Sequence, residues 1–243
     1  MKLTVLGTSG GFPAAGGATS GYLLELNNRH ILIDCGSGVL SNLFRLVKPD
    51  QLDAIILTHL HHDHISDMQV LKYAISLSRL HGIDIPAIPV LAPGTPENIA
   101  DSLQSDGSLI IGHISAQSEQ QMFGANLRFF AMDHPVEAYG LSVEFEGRKF
   151  AYTADSVPCT NMQPLLQEAD LALMDAGTLE SLRRPKMMHM TAAECATLAN
   201  ACLVRRLLLT HLLPILDPAE ILAEAQAIRP ASELAQIMET YDV

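Results

Sequence analysis

The sequence has few aromatic residues and fewer basic than acidic residues, and this charge balance argues against a polynucleotide-binding protein. It contains no tryptophan and 5% aromatic residues, and its 15 lysines and arginines stand against 27 aspartates and glutamates. The formal net charge of −12 therefore gives no long-range attraction for a polynucleotide backbone. Two short basic clusters, 183–186 and 205–206, leave a local patch open, although such clusters are most often solvated surface.

Cysteine is also scarce, and long apolar runs are absent. The four cysteines are scattered without a CxxC pair, which predicts free thiols and not a disulfide framework. No apolar run approaches the roughly 18 residues that span a membrane. Residues 1–7 are typical of a strand that enters a glycine-rich turn, not of a secretory signal. We therefore predict a soluble, cytoplasmic protein with no membrane partner.

The length and the order of the predicted elements indicate the fold class. The 243 residues, 48% of them hydrophobic, suffice for a sizeable core, and we expect a single domain over 1–243. Early strands follow one another, and later strands alternate with helices, which predicts an α/β fold of four layers, an αββα sandwich. The predicted strands are 2–6, 21–26, 30–33, 53–57, 88–91, 126–132, 139–145, 149–153, 170–174, 205–209 and 233–238. The predicted helices are 38–47, 66–81, 95–105, 161–168, 191–203 and 218–228.

Three of these segments carry more specific expectations. Helix 66–81 has two apolar stripes, the pattern of a well-buried helix. Helix 191–203 opens with Thr191 and Glu194 at the spacing of a capping box. Residues 105–125, rich in glycine, serine and glutamine, are expected to form a loop or a mobile flap. The two stripes of helix 66–81 are Met68, Leu71 and Ile75, and Tyr73, Leu77 and Leu80.

The densest cluster of potential metal-binding side chains lies directly after the apolar run 54–57. Four imidazoles and one carboxylate fall within six consecutive residues, 59–64. Such a cluster at the end of a buried strand is costly unless it binds something, and these groups are good ligands for divalent cations. His59 and His61 are two residues apart and project to the same side of an extended segment. A turn after the strand can bring Asp63 and His64 to a second position, so that one segment serves two metals.

Three further strands end near a side chain that can bind a metal. His134, Asp155 and His211 each follow an apolar run of strand length, as His59 does. One histidine at a strand end is usually a packed or surface residue. The repetition of the same placement favours a shared metal site.

The run His59-Leu60-His61-His62-Asp63-His64 resembles the HxHxDH signature of the metallo-β-lactamase superfamily. His134, Asp155 and His211 are similar to the further metal ligands of that superfamily, in order, and the resemblance covers nearly the whole chain. It implies the αββα fold and a dinuclear site, with His62 at the variable position and not a ligand. In that pattern one metal is held by His59, His61 and His134, the other by Asp63, His64 and His211, and Asp155 bridges them.

A finer resemblance is to the ribonuclease Z-like branch of phosphodiesterases. His134 is followed by Gly140, and His189 stands just before the capped helix. The resemblance implies that His189 lies beside the metals and contacts the phosphate. The alternative is a surface histidine at the start of a helix.

Three other positions have two readings each. Asp34 ends a predicted strand and either orients a ligand imidazole or stabilises the turn before Cys35. Asp67 is a similar case with weaker support. The turn 9–11 is either the rim of the site or a cradle for phosphate, and no GK[ST] sequence follows it.

The implied enzyme is a metal-dependent hydrolase, most simply a phosphoric diester hydrolase. Its cofactors are two divalent ions, with zinc as first choice and manganese or iron as alternatives. A hydroxide bridging the metals is expected to attack the phosphorus. Asp63 and His189 are the expected catalytic residues, the first orienting the hydroxide and the second donating to a phosphate or leaving oxygen.

The preferred substrate is a small nucleotide or cyclic nucleotide phosphodiester. The alternatives are tRNA 3′-processing by a ribonuclease Z, a lactonase, thioesterase or β-lactamase on the same fold, and a non-catalytic metal-binding protein. Against tRNA, the turn 11–20 lacks the Lys/Arg-Asn residues usual after the proline, and 156–188 is too short for a tRNA-gripping arm. The same branch resemblance implies a possible homodimer.

Overall fold

The structure, a computed structural model, describes residues 1–104, 107–116 and 118–243. None of the helices within these ranges is long and apolar enough to cross a membrane. The strands are β1 (Lys2–Gly7), β2 (Gly21–Leu26), β3 (Arg29–Cys35), β4 (Ala54–Ile56), β5 (Ile88–Ala92), β6 (Leu109–His113), β7 (Glu119–Met122), β8 (Ala125–Ala131), β9 (Tyr139–Phe145), β10 (Arg148–Tyr152), β11 (Leu171–Asp175), β12 (Arg206–Thr210), β13 (Glu233–Leu234) and β14 (Thr240–Asp242). The helices are α1 (Val39–Leu43), α2 (His62–Ile65), α3 (Met68–Leu80), α4 (Glu97–Leu103), α5 (Met162–Leu166), α6 (Ala192–Ala201) and α7 (Pro218–Gln226).

The strands form two mixed sheets. In the described residues each sheet has seven strands, in the orders β14-β1-β2-β3-β4-β5-β6 and β13-β12-β11-β10-β9-β8-β7. Strands β3 to β6 run parallel to one another, as do β10 to β13. The first strands of each half form antiparallel meanders, which need only short connections.

Three apolar clusters divide the molecule into layers and confirm the predicted αββα sandwich. The central cluster joins residues of both sheets, such as Val5 and Phe129. A second cluster packs the first sheet against α1, α3 and α4, and a third packs the second sheet against α5, α6 and α7. Each sheet is therefore covered by its partner sheet on one face and by helices on the other, as the apolar content of its strands requires.

The parallel pairing aligns the carboxyl ends of the strands at one edge of the sandwich. Leu173 of β11 lies beside Tyr152 of β10, and Asp175 lies beside Thr210 of β12. Strand β8 is antiparallel to β9, which is antiparallel to β10, so β8 also ends at this edge. Ligand sites of α/β sheets form at such edges, because loops leaving several strands meet there.

The structure corrects several predicted elements. Of 105–125, residues 105, 106 and 117 lie outside the described residues, and most of the remainder forms β6, β7 and the start of β8 instead of a loop. These strands lie at one edge of each sheet and show weak alternation, which explains why composition suggested a loop. Strand 233–238 shrinks to two residues, and β14 and the single-turn α2 were not predicted.

The expectation that helix 66–81 is buried on both stripes is wrong for one of them. The first stripe packs against the first sheet, as predicted, and consists of Met68, Leu71 and Ile75. The second stripe is exposed, from 40% at Leu77 to 78% at Leu80. No described element of the chain covers that face.

The capping box of α6 is confirmed. The Thr191 hydroxyl accepts from Glu194 N at 3.1 Å, and Thr191 N donates to the Glu194 carboxylate at 2.9 Å. Both groups satisfy amides that have no partner inside the helix. The cap begins two residues after His189, so it also fixes the direction in which the chain leaves that histidine.

Replacing the cap tests this arrangement. We expect Thr191→Ala to lower the free energy of unfolding by about 1 kcal/mol, since one capping acceptor is lost. Urea titration followed by far-UV circular dichroism measures the difference. The matched control is Thr197→Ala in the same helix, whose exposed hydroxyl only bonds back to Ala193 O; it is expected to be nearly neutral. Equal losses in both variants would contradict a capping role.

Candidate metal centre

All seven residues predicted as metal ligands meet at the carboxyl edge of the two sheets. His59 follows β4, and Asp155 and His211 follow β10 and β12. The single turn α2 bends the chain so that Asp63 and His64 face the same point as His59. His134 arrives from the loop after β8. Their role as ligands stays a prediction, while their convergence is a feature of the structure.

The first group consists of His59, His61, His134 and Asp155, whose potential ligand atoms all lie within 4.8 Å of one another. His134 Nε2 is 3.0 Å from His61 Nδ1, and Asp155 Oδ2 is 3.6 Å from His59 Nε2. Two ligands about 2.1 Å from one tetrahedral ion are separated by about 3.4 Å. The observed separations bracket that value, so these side chains fit one divalent ion.

The second group consists of Asp63, His64, Asp155 and His211, again within 4.8 Å. His211 Nε2 lies 3.1 Å from Asp63 Oδ2 and 3.2 Å from Asp155 Oδ2. His64 Nε2 lies 3.3 Å from the other Asp155 oxygen. Asp155 belongs to both groups and presents both carboxylate oxygens, the geometry that a bridging ligand requires.

Buried polar atoms without partners support this fit. His59 Nε2, His64 Nε2 and Asp155 Oδ1 are buried and have no hydrogen-bond partner among the described residues. Unsatisfied buried polar atoms are rare in native proteins, because each loses its hydration without compensation. A cation between these atoms satisfies them together, which makes metal binding the simplest explanation of the cluster.

Asp34 fixes the histidine tautomers, so of its two readings the orienting one agrees with the contacts. Its fully buried carboxylate accepts from His64 Nδ1 at 2.8 Å and from the Thr58 hydroxyl at 2.9 Å. The Thr58 oxygen is then left to accept from His59 Nδ1 at 3.1 Å. In their neutral, metal-binding form both imidazoles therefore carry their proton on Nδ1 and direct the Nε2 lone pair into the site.

Asp67 has a structural role instead. Its carboxylate accepts from Leu40 N at 3.0 Å at the start of α1. That contact holds α1 and not a ligand imidazole, and the weaker support for Asp67 in the sequence agrees with this outcome.

His189 lies beside the two groups, as the branch resemblance implied. Its Nδ1 donates to the buried Asp175 at 2.9 Å, and its ring stacks on His211 with centroids 4.9 Å apart. Asp175 Oδ1 is also 3.4 Å from His211 Nδ1, an electrostatic contact without hydrogen-bond geometry. His189 thus keeps Nε2 available, and a third of its side chain is exposed (33%).

Asp175 was missed by the sequence analysis. It is the last residue of β11, after the apolar run 171–174, so it carries the same strand-end signal as Asp155 and His211. Its 0% exposure and its contacts to two histidines mark it as a positioning residue. The signal was present in the sequence but was not applied to this strand.

The turn 9–11 forms the rim of the site. Gly11 N donates to Asp63 Oδ2 at 2.8 Å, so this amide holds a predicted ligand and is not free for phosphate. Gly10 is needed because a Cβ there would lie 2.6 Å from His211 Nδ1. An open cleft of about 420 Å³ lies over the cluster. Its walls include Gly11, His61, His62, Asp63, His134, Pro135, Asp155, Met188, His189 and His211.

Carboxylates and burial pull the imidazole pKa values in opposite directions. Burial and the neighbouring histidines lower the pKa of His59, and burial lowers that of His134 to about 4. For His64 burial is outweighed by Asp155 and Asp34, which raise its pKa to about 10. Without a cation the cluster therefore keeps protons on some imidazoles, and metal binding must release them, because only neutral imidazole is a ligand.

An αββα sandwich with two adjoining histidine and aspartate groups at its strand ends defines a metallo-hydrolase of the metallo-β-lactamase class. The chain matches the beta-lactamase superfamily domain over residues 29–212 and belongs to that family.

Individual relatives agree with this assignment. The chain is 34% identical over 214 residues to the probable metallo-hydrolase YhfI of Bacillus subtilis (strain 168), covering 87% of each chain. The crystal structure of YhfI superposes with a TM-score of 0.94 and 29% identity, covering 99% of this chain and 98% of that one. Ribonuclease Z of Mycolicibacterium gilvum is 27% identical, covering 90% of this chain and 87% of that protein. The short form of human tRNase Z shares the fold, with a TM-score of 0.80, 21% identity and coverage of 100% and 99%.

The orienting contact of Asp34 can be tested through metal affinity. We expect Asp34→Ala to weaken zinc binding by about 10- to 100-fold, because His64 and Thr58 lose the acceptor that holds their orientation. Competition with a chromogenic chelator measures the affinity, and the rise in melting temperature on adding zinc measures it independently. Asp53→Ala, at an aspartate that pairs with Arg29 away from the site, is the control. An unchanged zinc affinity in Asp34→Ala would refute the orienting role.

Proposed function

We propose that the protein is a dinuclear phosphodiesterase acting on a small nucleotide or cyclic nucleotide substrate. The observation that carries the proposal is the position of His189. This histidine is outside the predicted set of seven ligands, yet its ring stacks on the predicted ligand His211 and lines the cleft. A lactone or β-lactam offers one developing oxyanion, whereas a phosphodiester has further anionic oxygens that need donors beside the metals.

His189 has the geometry of a donor to phosphate. Its Nδ1 is engaged by Asp175, so the ring is held in one orientation with Nε2 towards the cleft side. Protonated, Nε2–H donates to a phosphate or leaving-group oxygen; the Asp175 carboxylate supports that state by its negative charge. The pairing also prevents the ring from rotating, so less conformational entropy is lost when the substrate binds.

The seven predicted residues would hold two divalent ions, with Asp155 between them, and zinc is the ion we propose. Bound ions would stabilise the negative charge developing on the phosphoryl oxygens and lower the pKa of coordinated water. Asp63 has a second task in this proposal, since its oxygen is anchored by Gly11 N at 2.8 Å and can orient an attacking nucleophile. Both predicted catalytic residues, Asp63 and His189, thus line one cleft.

Charge and shape favour a small substrate. The net charge of −12 opposes a long polyanion, and the cleft volume of about 420 Å³ fits a ligand of nucleotide size. The interval 156–188 consists of α5, β11, a short 3-10 turn and their connections. It offers no projecting arm that would grip tRNA.

Ribonuclease Z activity is the second candidate. The 27% identity to a protein named ribonuclease Z, over 90% of this chain and 87% of that one, favours it, because that name denotes an RNA-cleaving enzyme. In this reading the exposed Arg184 and Lys186, close in sequence to His189, would contact the RNA backbone.

A substrate panel separates the candidates. Bis-p-nitrophenyl phosphate, cyclic nucleotides, precursor tRNA, an acyl-homoserine lactone and nitrocefin are each offered with added zinc or manganese. Turnover of bis-p-nitrophenyl phosphate and of cyclic nucleotides is the expected result. Cleavage of precursor tRNA at its 3′ end would promote the second candidate, and hydrolysis of only the lactone or nitrocefin would overturn both.

The role of His189 makes a separate prediction. We expect His189→Ala to lower kcat on bis-p-nitrophenyl phosphate by about 10²- to 10⁴-fold, the usual contribution of a general acid or base. Asp175→Asn is expected to lose less, since the ring remains but its orientation is looser. Metal content by mass spectrometry must stay at the wild-type value in both variants. His113→Ala, at an exposed histidine of β6, is the control. Full activity of metal-loaded His189→Ala would remove His189 from the mechanism.

A further inference from the structure

Two tyrosines are fully buried between the sheets, at the edge that carries the predicted metal ligands. Tyr22 is the second residue of β2 in the first sheet, and Tyr152 is the last residue of β10 in the second sheet. Their rings meet edge to face, with centroids 5.1 Å apart. A buried tyrosine needs a partner for its hydroxyl, so the partners of these two side chains show what the hydroxyls contribute.

Each hydroxyl reaches across to the opposite sheet. Tyr22 Oη lies 2.7 Å from Thr210 Oγ1, at the end of β12 in the second sheet. Tyr152 Oη donates to Asp34 Oδ2 at 3.3 Å, near the end of β3 in the first sheet. Burial raises the pKa of both phenols, so both keep their proton. The two hydrogen bonds join the sheets in opposite directions, and we call them the crossed tyrosine pair.

One end of the crossed tyrosine pair acts on two predicted ligands through Asp34. The carboxylate oxygen that accepts from Tyr152 also accepts from His64 Nδ1 at 2.8 Å and from the Thr58 hydroxyl at 2.9 Å. The Thr58 oxygen in turn lies 3.1 Å from His59 Nδ1. Tyr152 therefore helps to hold the carboxylate that orients one imidazole of each predicted metal group.

The other end acts on a third predicted ligand through the backbone. Thr210 directly precedes His211, whose φ of 56° is left-handed. Such a conformation persists only where the surrounding structure imposes it. The hydrogen bond from Tyr22 fixes the Thr210 side chain immediately before this strained residue.

The crossed tyrosine pair controls a distance on which metal binding depends. Each of the two predicted metal groups combines side chains that follow strands of the first sheet with side chains that follow strands of the second. The separation of the sheets at this edge therefore sets the separation of the ligand atoms. A metal site tolerates deviations of only about 0.2 Å in its ligand distances.

We propose that Tyr22 and Tyr152 are positioning residues of the metal centre, whose crossed hydrogen bonds hold the two sheets at the spacing that both ions require. Packing alone does not explain these hydroxyls, because the rings supply nearly all of the buried area and phenylalanine would fill the same space. The inference rests on the metal binding that the proposed function assumes, and it is independent of the substrate.

Removal of each hydroxyl tests the proposal. Tyr22→Phe and Tyr152→Phe keep the ring, and each is expected to weaken at least one of the two stepwise zinc affinities by about 10-fold, the lower end of the effect of residues that orient ligands. Competition with a chromogenic chelator measures both affinities. Tyr241→Phe is the matched control, because this tyrosine belongs to the same core cluster but its hydroxyl accepts from Gln236 N at 3.2 Å. It should bind zinc as the wild type does.

The same hydrogen bond can be broken from its other end without changing a core ring. Thr210→Val should weaken zinc binding as much as Tyr22→Phe does, and the double variant should be no weaker than either single variant, because both remove one interaction. Thr210→Ser keeps the hydroxyl and should retain more of the affinity than Thr210→Val.

Two further readouts separate positioning from a contribution to stability alone. The visible spectrum of the cobalt-loaded protein reports ligand geometry, and it should shift in both phenylalanine variants but not in Tyr241→Phe. The melting temperature of the metal-free protein reports stability and establishes that each variant folds.

Wild-type zinc affinities and cobalt spectra in either phenylalanine variant would overturn the proposal, even if the metal-free melting temperature fell. An equal loss of zinc affinity in Tyr241→Phe would overturn it as well. Both outcomes leave the proposed function intact. A wild-type protein that binds no divalent ion would instead refute the proposed function, and this inference with it.

Discussion

The structure depends on a carboxylate that is buried among imidazoles at the junction of two sheets. Asp155 is 2% exposed and lies within 4.0 Å of His59, His64, His134 and His211. Burying a single carboxylate is unfavourable by several kcal/mol unless positive charge compensates it. Protons on the histidines provide part of that charge, and bound divalent cations would provide it more completely, because they would also satisfy the unpaired Nε2 atoms. The burial of Asp155 therefore favours a bound cation at the place where the proposed hydrolysis would need one.

The backbone around this cluster adopts strained conformations at three residues. Asp34, Ala154 and His211 all adopt left-handed conformations, with φ of 54°, 52° and 56°. Each costs about 1–2 kcal/mol in a residue with a Cβ, and such strain persists only where the surrounding structure imposes it. All three stand where a strand ends at the site. The packed sheets supply the stability that offsets this strain, since apolar clusters cover both faces of each sheet.

Sequence reasoning succeeded where one local signal has one physical meaning. An apolar run followed by a side chain that can bind a metal predicted His59, Asp155 and His211 at strand ends, and the structure brings these strand ends together at one edge of the sandwich. The same rule would have found Asp175, had it been applied to β11. The tautomers of His59 and His64 could not be predicted, since they depend on contacts of Asp34 and Thr58 across 24 residues of sequence. Edge strands such as β7 were also not predicted, because their residues are mostly polar and their extended conformation depends on pairing with a neighbouring strand.

The error made for α3 is informative in the same way. Hydrophobic periodicity reports that a face avoids water, but it does not report which surface covers it. In α3 the pattern indicated burial on two sides, and one chain buries only one of them. Packing on the sheet explains the buried stripe, since Met68, Leu71 and Ile75 join the apolar cluster beneath the helix. The other stripe has the same spacing without that contact, so periodicity alone could not distinguish the buried face from the exposed one.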